Sequence, residues 1–71
     1  MDIGLAIKVR RVELRMNQEQ LANAIQRDIA TVSLVERNLR VASLTTFLRI
    51  AEALDLKPSE LMQRAENYQK E

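Results

Sequence analysis

Ser33 and Arg37 stand one helical turn apart on a stretch whose other outward positions, Ile29, Ala30 and Leu34, are apolar. A hydroxyl can hydrogen-bond several bases, and a guanidinium fork reaches a guanine edge or a phosphate. The three apolar side chains offer only van der Waals contact, for instance with a thymine methyl, or else a surface for a neighbouring chain or helix. Gln18, Arg27, Asn38, Arg40 and Thr45 lie around this stretch and carry groups of the kind that bind phosphate oxygens. For each of them the alternative is an ordinary solvated surface position. Covalent chemistry lacks its usual materials, because the chain has no histidine and no cysteine to serve as imidazole base, thiolate or zinc ligand. Ser33 has no histidine or lysine placed to activate it, and Asp55 and Glu60 read as surface carboxylates. The expectation is a protein with no catalytic residue, no metal, no cofactor and no small-molecule ligand.

Short helices must position these groups. A chain of 71 residues, 46% hydrophobic and 30% charged, makes one domain over 1–71. One Gly and one Pro against ten Leu, five Ile, five Val and eight Ala suit packed helices rather than hairpins, so the expected class is all-α. On a helical wheel five segments separate. The first runs from Asp2, its N-cap, to about Met16, with Ile3, Ala6, Ile7 and Leu14 on one arc and Leu5, Val9, Val12 and Met16 on another. Asn17, with Gln20 three residues on, forms a capping box for the second, which turns Leu21, Ala22 and Ile25 inward. Asp28 caps a third over about Ile29 to Arg37, with Val32 and Val35 facing in and Asn38 closing it. Ser43 caps a fourth that carries Leu44, Phe47, Leu48, Ala51 and Leu54 on one arc. Pro58 starts a fifth with Leu61, Met62, Ala65 and Tyr68 in a stripe, and the residues after Tyr68 are expected to fray.

The longest uncharged run, Val41 to Leu48, is far below the roughly 18 apolar residues of a membrane span. The start Met-Asp-Ile carries an acid where a signal peptide carries Lys or Arg, so a cytoplasmic location is expected. Net charge is +1, but residues 1–49 hold eight basic and five acidic side chains, a net +3 that sets the basic side in the first two-thirds.

The second and third helices, joined by a tight turn, fit a helix-turn-helix over about 18–37. The residue strings Gln18-Glu19-Gln20-Leu21-Ala22, Val32-Ser33, Val35-Glu36-Arg37-Asn38, Ser43-Leu44 and Ile50-Ala51-Glu52-Ala53-Leu54, with Ile3-Gly4, Ile7 and Arg11 upstream, resemble the Cro and phage-repressor (XRE-like) helix-turn-helix family. The resemblance covers nearly the whole chain. It implies a compact five-helix, lambda-repressor-like fold, with a buried pair between Arg11 and Glu36 and a third helix that enters the DNA major groove. Ala22 is small where the second and third helices cross, although alanine is also simply a good helix former. Departures from the family are Arg15, Gln26 and Asn38 where it has Gly, and Arg10 and Arg27 where it has apolar residues.

The resulting expectation is a transcriptional regulator that binds a palindromic operator in double-stranded DNA as a homodimer. Ile29, Ala30, Ser33, Leu34 and Arg37 face bases; Gln18, Arg27, Asn38, Arg40 and Thr45 hold phosphates; and Met62, Ala65 and Tyr68 form the dimer surface. The strings Glu36-Arg37-Asn38 and Ser43-Leu44 also look like the controller proteins of restriction–modification systems. The alternative is a helix-turn-helix fold used as a protein-interaction module or antirepressor, which the apolar outward arc favours.

Overall fold

Asp2, Asn17, Asp28 and Ser43 each accept, through a side-chain oxygen, the backbone N–H three residues on, at 2.8–3.2 Å. Each therefore opens a helix by satisfying an otherwise orphaned donor, as their side-chain chemistry predicts. The computed structural model describes residues 1–68. It contains α1 (Ile3–Glu13), α2 (Gln18–Ala24), α3 (Ile29–Glu36), α4 (Leu44–Ala53) and α5 (Pro58–Asn67), with no strand among the described residues. The expected fraying of 69–71 falls outside them. The Asn17 capping box is complete, because Gln20 Oε1 accepts from Asn17 N–H at 2.8 Å. The fifth helix starts on Pro58, with Glu60 Oε1 accepting from Lys57 N–H.

All of the first four helices end in one way. Arg15, Gln26, Asn38 and Asp55 follow the helix caps with φ of 56–59°, in the left-handed region. The N–H groups of the next residues, Met16, Arg27, Leu39 and Leu56, reach back to Arg11, Ala22, Leu34 and Ala51 carbonyls at 2.9–3.0 Å. These are four Schellman motifs built without glycine. They settle how the chain turns where the family has Gly. They also shorten the first helix, which stops at Glu13 rather than continuing to Met16, because Leu14 is already its cap.

Ile7, Leu21, Ile25, Val32, Ile50, Leu54 and Leu61 are fully buried and join α1 to α5 in one core. Each contributes roughly 1.5–3 kcal/mol of transfer free energy. Val32 and Val35 face in as expected, and Ala22 is buried between packed helices α2 and α3. The apolar arc of α4 is narrower than the wheel implies: Phe47, Ala51 and Leu54 pack inward, whereas Leu44 and Leu48 are exposed. Leu14 and Val12 are likewise exposed. The reason is local, since a wheel groups apolar residues without knowing whether another element covers them.

Candidate nucleic-acid interface

The back of α3 is fixed before its front is considered. Arg11 on α1 donates from Nε and Nη2 to both carboxylate oxygens of Glu36, at 2.6 and 3.1 Å, and from Nη1 to the Met16 carbonyl at 2.8 Å. The Glu36 side chain is only 2% exposed, and Gln18 Nε2 adds a third donor to it at 3.0 Å. The buried ion pair is thus geometrically satisfied at both ends, which is the condition for such a pair not to cost stability. Gln18, expected on phosphate, is half-buried and has one amide N–H engaged by Glu36. Its amide ties the start of α2 to the end of α3.

A second lock holds the same end of α3 against the chain's N-terminus. Asn38 Oδ1 accepts from Gly4 N–H at 3.0 Å, and Asn38 Nδ2 donates to Asp2 Oδ1 at 2.8 Å. Gly4 is required for this approach, because a Cβ there would lie 2.3 Å from the Glu36 carbonyl oxygen and 2.7 Å from that of Val35. Both ends of the Asn38 side-chain amide therefore have partners within the fold, on a residue that is otherwise exposed.

The outward side of α3 carries Ile29, Ala30 and Arg37 exposed and Ser33 and Leu34 half-buried. Arg37 donates from Nε to the Ser33 carbonyl at 3.3 Å, which keeps it along the helix. Arg27 and Thr45 are exposed, as is Arg40, whose Nη1 approaches Thr31 Oγ1 at 3.4 Å. Thr31 in turn donates from its hydroxyl to Asp28 Oδ1 at 2.6 Å. That hydroxyl, together with the Thr31 backbone N–H, holds the Asp28 carboxyl below its ordinary range. The Asp28–Thr31–Arg40 chain was not foreseen, although Thr31 three residues after an aspartate cap was its sequence signal.

Arg10, where the resemblance implies an apolar residue, donates from Nε to the Leu54 carbonyl at the end of α4 at 2.9 Å, and from Nη1 to Glu13. Glu13 also receives Arg64 Nη1 of α5 at 2.9 Å; that hydrogen bond is the main reason its carboxyl lies below the ordinary range. Arg27 needs no core site, since its contribution to the turn is the backbone N–H on Ala22.

Of the expected dimer residues, Ala65 is completely buried inside the protomer, so its side chain cannot reach a partner. Tyr68 is half-buried against the core. Met62 lines an apolar groove of about 410 Å³, with Ile3, Val35, Val41, Leu44 and Phe47 among its walls. Val41 is 93% exposed and Leu44 74%. Val41 lies in the loop between α3 and α4, and Leu44, which the wheel sets on the apolar arc of α4, is that helix's first residue.

A family model described as helix-turn-helix matches residues 7–61, which span α2, α3 and the helices that hold them. The chain belongs to the helix-turn-helix family. Among solved structures it is similar to the restriction-modification controller protein C.AhdI from Aeromonas hydrophila, with 37% identity and a TM-score of 0.82 over 84% of this chain and 91% of that one. It is also similar to the controller protein C.Esp1396I, at 25% identity and a TM-score of 0.85 over 99% and 92% of the two chains. The clp gene regulator ClgR from C. glutamicum, at 19% identity, shares the fold with a TM-score of 0.91 over 97% and 90%. No curated protein sequence matches the chain. The helix-turn-helix family and the controller-protein likeness read from the residue strings are therefore both shown. Among the described residues no helix is long and apolar enough to cross a membrane.

Proposed function

We propose that this helix-turn-helix chain is a sequence-specific transcriptional regulator that binds a twofold-symmetric operator in duplex DNA as a homodimer. The observation that carries the reading is the asymmetry of α3. Its rear is clamped by the buried Arg11–Glu36–Gln18 cluster, while its front is left clear and flanked by the exposed cations Arg27 and Arg40. A helix fixed on one side and solvent-facing on the other is what insertion into a major groove needs, with its N-terminal residues meeting base edges. Ile29, Ala30, Ser33, Leu34 and Arg37 are the base-facing set. Arg27, Arg40 and Thr45, at the second residue of α4, are the phosphate-facing set, with the α4 N-terminal amides beside Thr45.

The groove beside α5 supports pairing of two copies. In a twofold contact each copy contributes the same patch to both sides, so the protruding Val41 and Leu44 of one protomer meet the groove walls of the other, Met62 included. The two α3 helices then stand about 34 Å apart, one turn of B-DNA. Likeness to the controller proteins supports a place in regulating a restriction–modification system. Selection of bound sequences from a randomised duplex pool, with sedimentation of the free protein and the complex, tests both parts. The expected result is a symmetric site with half-sites one helical turn apart; a strictly monomeric protein with no duplex-induced pairing removes the symmetry. Arg40→Ala is expected to weaken selected and random duplex alike and to flatten the log–log salt dependence by about one unit.

The second reading, a protein-interaction module or antirepressor, is favoured by exposed Ile29 on the front of α3. It predicts no sequence enrichment in the same selection.

A further inference from the structure

The N-terminal end of α3 has a chemistry that narrows what it can recognise. Ile29, the first residue of the helix, is 51% exposed, and Ala30 beside it is exposed, so neither is consumed by the core. No amide or guanidinium projects from these two positions. Thr31 follows them, but its hydroxyl already donates to Asp28 and lies beside Arg40. Arg37 is held along the other end of the helix by its bond to the Ser33 carbonyl. Ser33 and Leu34 are half-buried. The leading turn of the helix, the part that projects deepest in a groove-docked geometry, is therefore apolar.

An apolar side chain against a base edge gains nothing from the ring nitrogens and carbonyl or amino groups, and it strips water from them without replacement. The one apolar feature a base pair presents in the major groove is the C5-methyl group of thymine. Resting on the DNA-binding reading above, we infer that Ile29 and Ala30 discriminate by the pyrimidine C5-methyl group, so that thymine is selected at their position by its methyl rather than by hydrogen bonding. Ile29 supplies most of the contact area, and Leu34, half-buried, is a supporting wall. The consequence reaches beyond thymine: a cytosine methylated at C5 presents the same group, so methylation recovers part of the binding lost when T·A is replaced by C·G.

The test compares four duplexes built on the sequence selected from the random pool, with thymine, uracil, cytosine or 5-methylcytosine at the position facing α3. Uracil is expected to weaken binding about fourfold per half-site, the worth of one buried methyl-sized group. 5-Methylation of the cytosine variant is expected to restore a similar factor. Ile29→Ala removes the sensitivity to uracil and leaves the helical circular dichroism of the protein unchanged. Ile29→Val retains it in part. If the selected duplex is preferred over random sequence but uracil and 5-methylcytosine have no effect, methyl discrimination is wrong and DNA recognition stands. If no sequence is preferred over random duplex, the DNA-reading function falls and this inference falls with it. If uracil weakens wild type and Ile29→Ala equally, another residue contacts the methyl and the assignment to Ile29 is wrong.

Discussion

Replacing either partner of the Arg11–Glu36 pair should nearly unfold the domain, whereas replacing both should be much milder. Glu36 is 2% exposed in its side chain and receives three donors, two from Arg11 and one from Gln18. Glu36→Leu leaves a guanidinium buried with only the Met16 carbonyl as acceptor, and Arg11→Met leaves a buried carboxylate with only the Gln18 amide. Removing one member of a buried pair costs about 3–5 kcal/mol. The whole domain, at the usual stability per residue, is worth on the order of 4–11 kcal/mol. A single substitution therefore removes a large share of it. In the double variant Arg11→Met/Glu36→Leu no charge is stranded and apolar area is gained, so its cost should fall below that of either single change. Urea unfolding of the four proteins, with m held in common, gives the coupling as a double-mutant cycle. If the double variant loses the sum of the two single losses, the pair is not coupled and the clamp on the back of α3 is not what holds it.

Three further outcomes follow from individual geometries. Gly4→Ala drives a Cβ to 2.3 Å from the Glu36 carbonyl, a backbone atom, and should cost at least the 1–3 kcal/mol of ordinary overpacking in a thermal or urea melt. Gln26→Gly relieves a left-handed residue at φ 58° and should raise the unfolding free energy from urea melts by about 0.5–1 kcal/mol, whereas β-branched Gln26→Val should lower it. The Asp28 and Glu13 carboxyls are depressed, by the Thr31 hydroxyl and by Arg64 respectively, so their contribution is present above the ordinary carboxylate range and is lost as pH falls through the lowered folded values. Carboxyl titration by NMR should place both below ordinary carboxylates, and Asp28→Asn, which keeps a capping oxygen, should reduce the acid sensitivity of the unfolding midpoint.

The helix starts were legible because capping is local: Asp2, Asn17, Asp28, Ser43 and Pro58 act on residues within one turn. The helix ends were less so. Arg15, Gln26 and Asn38 occupy the left-handed positions that the resemblance marks with Gly, yet the side chains themselves carry no such signal except for Asn38. What the sequence hid is long-range. Asn38 meets Gly4 and Asp2 across 34 and 36 residues, and Gln18 meets Glu36 across 18, so two groups that read as phosphate ligands also have distant partners within the fold. Leu44 misled for the opposite reason. Its apolar side chain fits the wheel of α4, but as the helix's first residue it stands at the rim of the groove, 74% exposed among the described residues.

The most direct test of recognition through α3 is the backbone amide spectrum of the labelled protein titrated with the duplex selected from a random pool. The largest changes are predicted at 28–34 and at the α4 N-terminus, 44–46, and the duplex is predicted to leave the amides of Ala6, Ile50 and Leu61 in the core nearly unmoved. Changes confined to the groove around Val41 and Met62, with α3 unaffected, would contradict the account and make protein association the work of this chain.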